Sequence, residues 1–136
     1  MLFKEIIGQD TIKTQLIKTV KDNRIAHAQL FMGPEGSGKL ALAIAYAQYI
    51  NCENKGENES CGTCSSCRKY KKLVHPDMHF MFPVKRSSES NPETTDHYIE
   101  TWRNTLLENP YINPRTWYQK LELENKQGII PTNESN

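Results

Sequence analysis

The chain has 136 residues, 17 of them Lys or Arg against 16 Asp or Glu, for a formal net charge of +1 at pH 7. That balance excludes a strongly basic nucleic-acid-binding protein, and no apolar run approaches the length of a membrane span. The expectation is one cytoplasmic domain, or a piece of one.

From the N-terminus, residues 2–10 lead into an amphipathic segment over residues 11–21. There Ile12, Leu16, Ile17 and Val20 fall on one helical face, and Asp10 or Thr11 is placed to cap its start. This helix is expected to pack on a sheet. Residues 23–27 then approach Ala28, Gln29, Leu30, Phe31 and Met32, which read as a short buried strand. His27, taken alone, reads as a hydrogen-bonded structural residue.

The strand runs into Gly33, Pro34, Glu35, Gly36, Ser37, Gly38 and Lys39, the pattern G-x-x-x-x-G-K of a phosphate-binding loop. In such a loop backbone N–H groups cradle phosphate oxygens, the Lys reaches the terminal phosphates, and a Ser or Thr hydroxyl on the next residue holds Mg²⁺. Here the next residue is Leu40, which offers no oxygen to a metal. Residues 40–50 are dense in good helix formers, so the loop amides would sit at a helix N-terminus, which attracts anions. The pattern thus keeps the shape of an ATP site and loses one part of its Mg²⁺-dependent chemistry. A glycine-rich turn that binds nothing is the plain alternative.

All four cysteines lie in one short segment, Cys52, Cys61, Cys64 and Cys67, spaced C-x8-C-x2-C-x2-C. Thiolates gathered this closely suit tetrahedral Zn²⁺, and four protein ligands would make the ion structural. An iron–sulfur cluster is the chemical rival, and two disulfides are the bland reading. Residues 1–10 show no signal-peptide pattern, and the neighbouring loop implies a reducing compartment, which disfavours disulfides. A metal would stabilise the polar excursion over residues 53–60.

Beyond the cysteines come two basic clusters, Arg68, Lys69, Lys71 and Lys72, then Lys85 and Arg86. Each reads as a solvated face, with contact to DNA or phosphate as the functional rival. Residues 83–92 are a polar loop. Residues 95–109 look helical, with Tyr98, Ile99, Trp102, Leu106 and Leu107 on one face and Pro110 as the stop. Asn113 and Pro114 suit the cap and first turn of a second helix carrying Trp117, Tyr118, Leu121 and Leu123. Such an aromatic stripe reads as core or as a surface for another subunit.

Taken together, Ile7-Gly8-Gln9, Arg24-Ile25-Ala26-His27-Ala28, residues 30–39, the four cysteines and His75-Pro76-Asp77 resemble, in the same order, bacterial DNA polymerase III clamp-loader subunits of the delta-prime or tau/gamma kind. The resemblance covers roughly residues 1–83. It implies an α/β fold of the P-loop NTPase (AAA+) class, a parallel sheet with helices on both faces, interrupted by an inserted zinc-binding module. In that scheme residues 1–51 hold the first helix and the strand-loop-helix, and 52–74 the zinc module. Residues 75–130 hold a second strand over 78–82, the polar loop and two aromatic-rich helices, and 131–136 are a polar tail.

The resemblance also implies a role. The tau/gamma kind is an ATP-driven motor whose loop ordinarily ends in Lys followed by Thr or Ser, whereas the delta-prime kind often has a degraded loop, so Leu40 sides with delta-prime. The implied partners are tau/gamma and delta subunits, the sliding clamp and primed DNA. No apolar run ends in the Asp-Asp or Asp-Glu pair that would organise Mg²⁺ and water, and no Ser-Arg-Cys-type segment supplies an arginine to a neighbour. The chain is therefore expected to have no activity of its own. A complete module of that class takes on the order of 200 residues or more, so the sequence reads as a fragment with an incomplete sheet, expected to self-associate.

Overall fold

The computed structural model describes residues 1–85, 94–123 and 128–130. It divides into two compact units, Met1–His75 and Pro76–Asn136.

In the first unit a 3-10 turn, Phe3–Glu5, precedes helix α1 (Asp10–Lys21), α2 (Lys39–Asn51) and α3 (Ser65–Lys71). Helix α2 is the centre of the unit because its sequence is apolar nearly all round, the mark of a helix covered on several sides. Its Ala41, Leu42, Ile44, Ala45, Tyr46 and Tyr49 are buried, and α1, α3 and the 3-10 turn all pack on it. Helix α1 contributes Leu16 and Ile17, and the turn contributes Phe3 with Ile6 after it. Each such side chain adds about 1.5–3 kcal/mol when fully buried.

Two details of α1 differ from expectation. Ile12 stays 39 % exposed at the rim of the expected face. The cap position falls to Gln9 in the left-handed conformation, with no side-chain cap, and Asp10 instead lies in the first turn, where its charge complements the helix dipole.

The expected parallel sheet is overturned: among the described residues the unit is helical, with no strand. Residues 28–32 form neither a strand nor a buried segment: Ala28 lies in a bend, and all but Phe31 are exposed. Phe31 packs toward the core and the Gln29 amide donates to the Tyr46 hydroxyl at 3.0 Å, while Leu30 and Met32 are 82 % and 81 % exposed. A strand, however, is defined by a partner that takes up its N–H and C=O groups, and no other described segment pairs with this one. Residues in a parallel sheet would also be covered on both faces, which Leu30 and Met32 are not.

The second unit contains α4 (Thr95–Glu108) and α5 (Pro114–Lys120). Asn113 caps α5, its side-chain oxygen accepting the Thr116 N–H at 2.8 Å, and Pro114 stands in the first turn, where a missing N–H costs nothing. The unit is held by aromatic rings. Phe82 stacks on Trp102 with centroids 4.4 Å apart, and Trp117 meets both edge-on at 5.2 and 4.8 Å. Residues 78–82, expected as the second strand, form none. Among the described residues the nearest thing to sheet is one antiparallel bridge, Val84 with Ile129, closed by hydrogen bonds of 2.8 and 2.9 Å. Part of the expected polar loop, residues 86–93, lies outside the described residues, as does the tail over 131–136. Among the described residues no helix is long and apolar enough to cross a membrane.

Candidate metal centre and glycine loop

The four cysteines arrive from three places. Cys52 ends α2, Cys61 lies in the connecting loop, Cys64 caps α3 and Cys67 lies within it. Their sulfur atoms all lie within 4.8 Å of one another, so the four together can hold a metal ion. The Sγ–Sγ distances are 3.6 Å for Cys52–Cys61 and 3.9 Å for Cys61–Cys67, and all four are free thiols, which removes the disulfide reading. Four sulfurs about 2.3 Å from a tetrahedral ion stand about 3.8 Å apart, so these spacings fit such a shell.

The local backbone favours thiolates. The N–H of Cys61 donates to Cys52 Sγ at 3.3 Å, that of Cys64 to Cys61 Sγ at 3.3 Å, and that of Cys67 to Cys64 Sγ at 3.4 Å. The Thr63 N–H, followed by that of Cys64, draws the Cys61 thiol down to about 6. The Cys67 N–H lowers Cys64 in the same way. Burial acts oppositely on the inner pair, raising Cys52 and pushing Cys67 up to about 12. Without a cation at the centre, the cluster therefore keeps protons on its buried side.

A second layer of polar contacts, not foreseen from the sequence, anchors the excursion over residues 53–60. Glu59 accepts the backbone N–H groups of Phe3 and Lys4 at 3.1 and 3.0 Å. The buried Gln48 amide donates to Ser60 Oγ at 2.9 Å, and the Tyr49 hydroxyl reaches the carbonyls of Gly56 and Glu57. Glu53 accepts the Ser66 N–H at 3.3 Å in the first turn of α3. These pairs span up to 56 positions, and no local spacing announces them.

The loop Gly33, Pro34, Glu35, Gly36, Ser37, Gly38 and Lys39 lies at the other end of α2. That helix has 13 residues, so the loop and the cysteines are separated by about 20 Å of helix. Gly36 and Gly38 take φ of +74° and +79°, the left-handed region that glycine enters without strain, and Gly38 is the N-cap of α2. The Lys39 ammonium folds onto the loop, donating to the carbonyls of Gly33 at 2.7 Å and Pro34 at 2.6 Å. Ser37 Oγ donates to Pro34 O at 2.8 Å, and Gln9 ties the loop to the start of α1 through Ser37 O at 3.3 Å. Leu40 sits half-buried in the first turn of α2. His27 is exposed and joins neither site, while His75 stacks on Tyr70 with centroids 4.5 Å apart.

The model of the family described as "DNA polymerase III, delta subunit" matches residues 8–118, most of the chain and both of its units. The chain belongs to this family. It is accordingly a clamp-loader-type member of the DNA polymerase III subunits. Among curated relatives of this family member, Protein STICHEL of Arabidopsis thaliana is 39% identical over 70 residues, covering 52% of the chain and 6% of the relative. DNA polymerase III subunit tau/gamma of Haemophilus influenzae is 39% identical over 66 residues, 48% of the chain and 10% of the relative. DNA polymerase III subunit tau of Bacillus subtilis is 35% identical over 66 residues, 48% of the chain and 12% of the relative. The matched part of the chain thus spans about a tenth of the length of these relatives. No solved structure matches it.

Proposed function

We propose that the chain serves as a non-catalytic, delta-prime-type subunit of a DNA polymerase III clamp loader, helping to place the sliding clamp on primed DNA alongside tau/gamma and delta subunits. Leu40 carries this reading. It follows Lys39 in the first turn of α2, where a hydroxyl would be needed to hold Mg²⁺, and its side chain is hydrocarbon. Lys39 supports the same view, because a nucleotide would have to displace its two hydrogen bonds to Gly33 and Pro34 before phosphate oxygens could take it up. The family model supports the clamp-loader part of this reading.

A second reading, an ATP-hydrolysing motor, is favoured by one observation: several relatives are named tau or tau/gamma. Binding and turnover of Mg-ATP by the metal-loaded chain, measured with a fluorescent analogue beside the Leu40→Thr variant, separate the two. Absence of turnover in the parent, with Mg²⁺-dependent affinity gained in L40T, is the expected result. Turnover by the parent would replace the structural reading with the motor.

The ion assigned to Cys52, Cys61, Cys64 and Cys67 is structural Zn²⁺. The near-tetrahedral sulfur spacings support it, and four protein thiolates leave no open position for chemistry. One zinc per chain by elemental analysis is expected, and the visible absorption of an iron–sulfur cluster would overturn the assignment.

A further inference from the structure

We propose that the outer face of α3 is a docking surface for the phosphate backbone of duplex DNA. Between residues 60 and 76 the chain has no Asp or Glu, while Arg68, Lys69, Lys71 and Lys72 fill four of five consecutive positions. All four are exposed, whereas Cys67, Tyr70 and Leu73 between and beside them are buried. At about 100° per residue, Arg68, Lys71 and Lys72 share roughly a third of the helix circumference, with Lys69 on its border.

The cysteine centre sets this orientation. Cys64 caps α3 and Cys67 lies on its inner side, so the residues that gather the sulfurs also decide which face looks outward. No hydrogen bond or ion pair engages the four cationic heads among the described residues.

Two plainer roles leave charge to spare. Arg68, Lys69 and Lys71 stand in the last turn of α3, where cations complement the helix dipole, but that end carries only about half an elementary charge. Four thiolates around a divalent ion carry two net negative charges, half of what the four side chains supply. What fits the surplus is a polyanion. From Arg68 to Lys72 the helix rises about 6 Å, a length over which a duplex presents about three or four phosphates. Membership of a DNA polymerase III family makes DNA the polyanion at hand. Four flexible cationic side chains suit contact with the phosphate backbone. The surface stands apart from the question of nucleotide turnover, since it uses neither Lys39 nor Leu40.

The test is fluorescence anisotropy of a labelled duplex titrated with the full, zinc-loaded chain at 50 and 200 mM NaCl. Up to four phosphate contacts predict a log–log salt slope no steeper than about −3.6, or at most about 150-fold weaker binding across that range. The R68Q/K69Q/K71Q/K72Q variant should lose most of the affinity, and R68Q or K72Q alone should each reduce the slope by about one. A control, K18Q/R24Q, should change nothing. Zinc content and far-UV circular dichroism report whether each variant is folded, and the single variants keep the test alive if the quadruple one is not. No binding at 50 mM salt, or undiminished binding by the folded quadruple or single variants, would overturn the proposal. So would tighter binding of polyglutamate than of duplex, which would make the surface a seat for an acidic protein.

Discussion

Glu59 accepts the backbone N–H of Phe3 at 3.1 Å, joining the cysteine segment to the start of the chain 56 positions away. The same carboxylate takes the Lys4 N–H at 3.0 Å, and Phe3 in turn packs edge-on against Tyr49, centroids 5.8 Å apart. Glu59→Ala would leave the N–H groups of Phe3, Lys4 and Ser60 without their side-chain acceptor, a loss of about 1–3 kcal/mol. The midpoint of thermal unfolding should fall by several degrees, with Glu59→Gln, which keeps one acceptor, less affected. Removing the metal with a chelator should free residues 53–60 as well. The cost of E59A should therefore shrink in the chelated protein, a coupling that a thermal-melt cycle of the two proteins with and without metal measures directly.

The same cluster should show its polarity in chemical reactivity. Hydrogen bonds from Thr63 and Cys64 bring the Cys61 thiol down to about 6, while burial pushes Cys67 up to about 12. The thiolate is the reactive form. In the metal-free protein at pH 7, iodoacetamide should label Cys61 first and Cys67 last, and Cys61 labelling should fall as the pH drops below about 6. Metal loading should protect all four. Peptide mapping by mass spectrometry after short exposures gives the order, and equal labelling of the four would refute it.

Gly128 marks a close approach within the second unit. A Cβ there would lie 2.8 Å from Pro83 Cβ and 2.9 Å from Tyr118 Cε1, with the Val84 carbonyl at 3.3 Å. Gly128→Ala should therefore push apart the segments that the Val84–Ile129 bridge closes, costing about 1–3 kcal/mol by overpacking. Both tryptophans of the chain lie in this unit, at positions 102 and 117. Near-UV circular dichroism should accordingly report the loss, and an unchanged unfolding midpoint in G128A would contradict it.

The parts of this architecture that were legible in the sequence are those fixed by neighbours in the chain. Helices α1, α4 and α5 follow from apolar spacing, α2 from its run of good helix formers, and the Asn113–Pro114 start of α5 from capping chemistry. The cysteines announce their meeting by their own spacing. The strand over residues 28–32 misled for a physical reason. The run has the apolar composition of a buried strand, but only Phe31 turns toward the core while Leu30 and Met32 face outward, and a sheet requires a partner backbone that the five residues do not specify. Glu59, Gln48 and Ser60 were invisible for the related reason that their partners are set by the packing of α2 against the turn, not by sequence distance.

The two tryptophans offer a contrast in which hydrogen bonding adds to what burial alone gives. Trp102 and Trp117 are both buried, at 8% and 2% exposure, and each touches Phe82. Trp117 Nε1 donates to the Pro83 carbonyl at 2.7 Å, whereas Trp102 Nε1 is buried with no acceptor. Replacing either by Phe removes comparable apolar area, a similar loss for both. Trp117→Phe also strands the Pro83 oxygen, adding about 1–3 kcal/mol, while Trp102→Phe removes a donor that already lacks a partner and so recovers part of its own cost. W117F should be the more destabilised of the two by at least about 1 kcal/mol in urea titrations. Equal midpoints would show that the Pro83 hydrogen bond contributes nothing, and W102F as the weaker protein would show that stacking on Phe82 outweighs it.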